Sequence, residues 1–124
     1  MKEILVTRLG ELLSCFDEVA FAYLFGSYVD ESISKHSDVD VAIYVKDGYD
    51  TFDVGLKVHH KLEIALKQDV DVVVLNDVKN YSLLKDILTK GILLKDSEDR
   101  AMYEVRKQHE IIDYFTFKRM IDAA

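Results

Sequence analysis

Apolar residues recur along the chain with two different periods, and the switches between them mark out the elements. Over residues 2–16, Leu5, Leu9, Leu12, Leu13 and Phe16 keep helical spacing, as in a helix with one apolar stripe. Residues 19–25 form an unbroken run of β-branched, small and aromatic side chains closed by Gly26-Ser27, which predicts a short buried strand ending in a turn. The polar, acidic stretch 28–37 leaves room for one or two helical turns and a loop. Residues 38–45 alternate strictly: Val39, Val41, Ile43 and Val45 take one face of a strand, and Asp38, Asp40, Ala42 and Tyr44 take the other.

After a Lys46-Asp47-Gly48 loop, a helix is predicted over 51–68, with Phe52, Leu56, His59, Leu62 and Leu66 on its apolar stripe. Residues 70–75 read as a third strand. Asn76 or Asp77 is placed to cap a shorter helix carrying Leu83, Leu84, Ile87 and Leu88, with Gly91 ending it. A short strand at 92–94 and a last helix over about 97–122, begun by Asp96 or Ser97, complete the chain. This order implies an α/β (α+β) domain, a small mixed β-sheet backed by helices. With no proline, repeat or low-complexity segment to mark a boundary, 1–124 is expected to be a single domain.

Charge and composition narrow the partners. A net charge of −7 disfavours broad nucleic-acid binding, which draws on clustered Lys and Arg. It does not disfavour a nucleotide, because bound divalent cations reverse the field at a carboxylate cluster. No apolar run approaches the roughly 20 residues of a membrane helix. Met1-Lys2-Glu3 opens without the pattern of a signal peptide. The lone Cys15 offers neither an internal disulfide nor a cysteine metal site. A soluble, cytoplasmic protein without a membrane partner is the expectation.

Three elements carry candidate chemistry. Gly26-Ser27 directly follows a buried strand, where a sharp turn presents backbone N–H groups and a hydroxyl to a phosphate. Asp38 and Asp40 share one strand face about 6.5–7 Å apart, close enough to converge on hard cations that want oxygen ligands. On an edge strand the same two residues could simply decorate a solvated face. Asp71, at the mouth of the apolar run Val72-Val73-Val74-Leu75, is placed to complete a carboxylate triad as a metal ligand or as a proton acceptor. Asp69 has the same strand parity and is its rival.

Gly26-Ser27, ten intervening residues, then Asp38-Val39-Asp40 resembles the GSX10DXD signature of minimal nucleotidyltransferases. These are the MNT domains of the DNA polymerase beta superfamily, antitoxins paired with HEPN toxins. The likeness runs over most of the chain. It implies a nucleotidyltransferase fold and a two-metal transfer of AMP from ATP to a tyrosine hydroxyl of a HEPN toxin, silencing its RNase. On this resemblance Gly26, Ser27 and Ser37 bind the nucleotide; Asp38 and Asp40 hold two Mg2+ ions; and Asp71 is the third ligand or the base. It also implies a hetero-oligomer with the toxin. The chain departs from many relatives at Val29-Asp30-Glu31, where they carry a small residue, arginine and glycine. An acidic pair offers no guanidinium to a phosphate, and Lys35 or His36 is left to substitute in part.

Other signals lead elsewhere. His59-His60-Lys61-Leu62-Glu63 lacks the HExxH order of a zinc helix, so a half-buried and a solvated histidine are expected. Arg106-Lys107-Gln108-His109 resembles the basic-histidine motif of HEPN RNases at too short a spacing, and reads as surface. Cys15 is expected to pack in the core. Ile111, Ile112, Tyr114, Phe115, Phe117, Met120 and Ile121 are too many apolar residues for one narrow stripe, which points to a partner on the last helix. The competing readings are an antitoxin that neutralises by binding alone, and transfer to a small molecule or an RNA end.

Overall fold

The structure is a computed structural model that describes residues 2–29 and 38–123. Asp30, Glu31, Lys35, His36 and Ser37 fall outside the described residues. Helix α1 (Lys2–Ser14) buries Leu9 and Leu13, and Leu5, Leu12 and Phe16 pack beside them. Strand β1 (Val19–Phe25) is buried along its whole length. Strand β2 (Val39–Val45), helix α2 (Thr51–Leu66), strand β3 (Val70–Val74), helix α3 (Tyr81–Lys90), strand β4 (Ile92–Lys95) and helix α4 (Asp99–Ala123) follow. Among these residues no helix is long and apolar enough to cross a membrane.

The strands form one mixed sheet in the order β3-β2-β1-β4. β1 lies antiparallel to β2 and β4, and β2 lies parallel to β3 because α2 carries the chain back across the sheet between them. Two cores follow from the alternation of the strands. Val39, Val41, Ile43 and Val45 face Leu9, Leu13, Val54, Val58 and Leu62 of α1 and α2. On the opposite face Phe21, Tyr23 and Ala42 meet Leu84 and Ile87 of α3 and Tyr103 and Ile111 of α4. The face of β2 that carries Ala42 and Tyr44 is thus covered by helices, and β2 is an interior strand.

Short polar links hold the connections near β3. Lys67 ends α2 in the left-handed region (φ 57°), donating its N–H to the Glu63 carbonyl at 2.8 Å. The Glu63 carboxylate then accepts the Val70 N–H at 3.0 Å, pinning the first residue of β3. Beyond β3, the Asn76 amide bonds both the N–H and the carbonyl of Val45, each at 2.8 Å. The Tyr103 hydroxyl donates to the Leu75 carbonyl at 3.0 Å, tying α4 to the same corner.

Several expectations are corrected. The stripe of α2 that enters the core is Val54, Val58 and Leu62, whereas Phe52 and Leu56 are exposed. The cap of α3 is Asn80, whose side chain accepts from the Leu83 N–H at 3.1 Å; Asn76 is occupied by Val45. Gly91 does end α3, with its N–H on the Ile87 carbonyl at 2.8 Å. Cys15 is exposed, its thiol directed at the Glu11 carbonyl, because it sits past the last turn of α1.

Candidate active site

The turn after β1 has one conformation to suit its neighbour. Gly26 lies at φ +79°, and a Cβ there would stand 2.2 Å from Oδ2 of Asp40. Glycine is required twice over, by the backbone angle and by the carboxylate that fills the space of a side chain. The chain continues as a single 3-10 turn, Gly26–Tyr28, closed by the Val29 N–H on the Gly26 carbonyl at 3.0 Å. Ser27 is half-buried at its centre. The Tyr28 hydroxyl accepts from the Gln68 amide at 3.1 Å, which joins this turn to the link before β3.

Sheet register brings the aspartates together. Asp40 pairs with Phe25 across the β1–β2 ladder and with Asp71 across the parallel β2–β3 ladder. Residues paired in register point to the same face, so the carboxyl groups of Asp40 and Asp71 meet and hydrogen-bond. Asp69 precedes β3 and accepts the Val39 N–H through its carbonyl at 3.2 Å, so the ladder sets Asp71 beside Asp40 instead. Asp38 is exposed just ahead of β2, and its charge also bears on Asp40.

This crowding changes the acidity of Asp40. Burial, the Asp71 charge, a hydrogen bond with Asp71 and the Asp38 charge together push its carboxyl up to about 6. Close carboxylates cannot all ionise without cost, so in the absence of a cation Asp40 holds a proton into mildly acidic pH. An all-oxygen donor set of this kind suits a hard divalent ion. Among the described residues no group of three or more His, Cys, Asp or Glu side chains is already drawn together for a metal, so Asp38 would have to swing towards the Asp40–Asp71 pair.

Gly26, Asp40 and Asp71, chosen from the sequence, are gathered at one end of β1, β2 and β3, with Ser27 next to Gly26 in the chain and Asp38 two residues before Asp40. Ser37 lies outside the described residues. The supports went unseen in the sequence: Glu63, Gln68 and Tyr28 act through single contacts between distant segments, which leave no periodic trace. His59 is half-buried, 3.2 Å from Glu63, and His60 is exposed, as the spacing implied. Arg106 and Lys107 lie over the Tyr103 ring at 5.7 and 5.8 Å, with Lys107 also paired to Glu110, a surface arrangement.

Comparison with known proteins gives four findings. A family model described as polymerase beta, nucleotidyltransferase, matches residues 8–100. Protein adenylyltransferase MntA of Shewanella oneidensis is 35% identical over 69 residues, 56% of this chain and 48% of that protein, so the match spans about half of the relative's length. A chain of a toxin–antitoxin structure with AMP-PNP superposes with a TM-score of 0.74 at 24% identity, covering 95% of this chain and 94% of that one. A chain of a tri-AMPylated Shewanella oneidensis HEPN toxin in complex with MNT antitoxin gives 0.71 at 23% identity, covering 99% and 96%. Both likenesses bear on the fold.

Proposed function

This chain belongs to the polymerase beta nucleotidyltransferase family, and from that premise we propose that it is a minimal nucleotidyltransferase antitoxin. It transfers AMP from ATP to a tyrosine hydroxyl of a HEPN-domain toxin and so neutralises the toxin's RNase. The observation that carries this reading is the seating of Asp40 between the Gly26 turn and Asp71. A carboxylate pair and a phosphate-holding turn within one side chain of each other are what phosphoryl transfer needs. The likeness to an adenylyltransferase and to toxin–antitoxin chains supports AMP as the group and a toxin as the acceptor.

In this mechanism the N–H groups of the turn and the Ser27 hydroxyl hold the triphosphate. Asp38 and Asp40 would hold Mg2+, which when bound would offset the phosphate charge and polarise the transferred group. Asp71 is either the third ligand or the acceptor of the phenolic proton. The tyrosine oxygen forms a bond to the α-phosphorus while the bond to pyrophosphate breaks, and the proton leaves to a carboxylate or solvent. A cytoplasmic setting fits a reaction that consumes ATP.

The purified chain, mixed with the HEPN partner, ATP and magnesium, should add AMP to a partner tyrosine as read by mass spectrometry. Asp38→Asn and Asp40→Asn should each abolish the addition. No mass change on a folded, binding-competent partner would remove the reading.

A second reading, neutralisation by contact alone, is favoured by α4. Ile112, Phe117, Met120 and Ile121 are 58–67% exposed along its C-terminal half, where Ile111 and Phe115 reach the core. A partner covering this face would make a stable hetero-oligomer whether or not AMP moves. The double aspartate variant separates the two: full neutralisation by it supports contact alone, and loss of neutralisation supports transfer.

A further inference from the structure

Asp71 sits where the sheet is least secured. β3 is the marginal strand, and Asp71 is the second of its five residues. Its side chain is exposed and meets that of Asp40, which is fixed in an interior strand against the Gly26 turn. When both carboxyls are ionised they repel, and the exposed one on the marginal strand is the one free to yield. The link that delivers the chain from α2 to β3 is residues 67–69 alone. At its end the Asp69 carbonyl accepts the Val39 N–H of β2 at 3.2 Å. The N–H of that same planar peptide unit, on Val70, points the opposite way, to the open edge of β3. There Oε2 of Glu63 accepts it at 3.0 Å.

We propose that Glu63 is a positioning residue for Asp71: its carboxylate clamps the peptide unit between Asp69 and Val70 from the open edge, and so keeps the Asp71 carboxyl opposite Asp40. The inference rests on the transfer reading, in which Asp71 is a ligand or the proton acceptor. Val70, Val72 and Val74 turn to the α2 side of the sheet, whereas Asp71, in register with Asp40, shares the opposite face with Val73. Glu63 therefore acts through the backbone and not on the Asp71 side chain. Its place in the helix calls for such a role. Glu63 stands in the last turn of α2, where the carbonyl end of a helix disfavours a carboxylate. That placement is offset by the Val70 N–H, a charge-assisted bond, and by Nε2 of His59, 3.2 Å from the same oxygen. Asp71 follows Val70 directly, so a released peptide unit displaces its carboxyl. The Gly26 turn keeps its own closing bond, from the Val29 N–H, and is spared.

The test compares Glu63→Ala, which removes the acceptor, with Glu63→Gln, whose side-chain carbonyl still takes the Val70 N–H. In amide hydrogen exchange followed by NMR, Glu63→Ala should speed Val70 and Asp71 at least about tenfold and leave Ala22 and Leu24 of β1 unchanged, with Glu63→Gln near wild type. In transfer assays normalised to folded protein, Glu63→Ala should lower kcat at least about tenfold with KM for ATP within about twofold, and Glu63→Gln should restore most of the rate. Placed on Asp71→Asn, Glu63→Ala should remove less than about twofold of the activity that remains, since its effect runs through Asp71. Unchanged exchange at Val70 and Asp71 overturns the proposal, as do equal losses in the Ala and Gln variants, or a loss that multiplies in full with that of Asp71→Asn. A loss in His59→Ala matching that of Glu63→Ala overturns it too, by assigning the effect to the ion pair. Should the wild-type chain transfer no AMP, the transfer reading fails, and the exchange rates still decide whether Glu63 holds Asp71 in register.

Discussion

Gly26 and Asp40 act as a unit, since the carboxylate occupies the volume that any side chain at position 26 would need. Gly26→Ala has to accommodate a Cβ at 2.2 Å from Oδ2 and a φ of +79° that costs an L-residue about 1–2 kcal/mol. The expected result is a folded, destabilised protein with Asp40 displaced. AMP transfer should fall by on the order of 100-fold, the usual cost of misplacing a catalytic group by about 1 Å. Asp40 itself gives a pH signature. Its folded value of about 6 lies above the 3.8 of the free side chain. The folded protein therefore gains from the extra proton fully below about pH 4, and that gain is lost as pH rises through about 6. In metal-free buffer, thermal melts of wild type should show this loss between those limits, and Asp40→Asn should flatten it. At pH 7 the Asn variant should be the more stable by on the order of 1 kcal/mol, after allowing for solvent screening, while being inactive. A variant less stable than wild type at pH 7 would show that the pair is not strained.

Single elements differ in how much of them could be read from the chain. β2 was legible because strict alternation admits one register, and its valine face is the one that meets α1 and α2. The paired aspartates were legible as a cluster, but the choice of Asp71 over Asp69 needed the parallel ladder, which no spacing specifies. α2 misled for a physical reason. The predicted stripe of residues 52, 56, 59, 62 and 66 and the observed one of residues 54, 58 and 62 both keep helical spacing and share Leu62, and the bulkier first set reads as core. Which stripe turns inward depends on where β3 lies relative to β2, a long-range fact. The phase can be checked by mutation. Leu62→Ala, which removes a fully buried side chain, should cost about 2–5 kcal/mol in urea denaturation. Leu56→Ala should stay within about 0.5 kcal/mol of wild type, as exposed positions do. Equal costs at the two positions would contradict the observed phase. α3 misled over a smaller matter: Asn76 is a good cap by composition, yet its amide matches both backbone groups of Val45 and is used there.

At the scale of the molecule, charge decides how ligands enter. The chain carries −7 overall, and its candidate site adds Asp38, Asp40 and Asp71 at one end of the sheet. A bare triphosphate brought to this site meets like charge, the same crowding that raises the proton affinity of Asp40. Magnesium alone relieves the repulsion between the side chains but leaves the Gly26 turn without its anion. ATP and magnesium are therefore expected to bind as a coupled pair, each raising the affinity for the other by the same factor. In a thermal melt at pH 7, ATP alone should leave the midpoint unchanged and magnesium alone should raise it slightly. The two together should stabilise by about 2.7 kcal/mol at 100-fold excess over Kd. Asp40→Asn should remove the synergy, because it removes both the charge the cation answers and the carboxylate seated against the turn. Equal stabilisation of wild type and Asp40→Asn would mean that nucleotide binds elsewhere on the molecule.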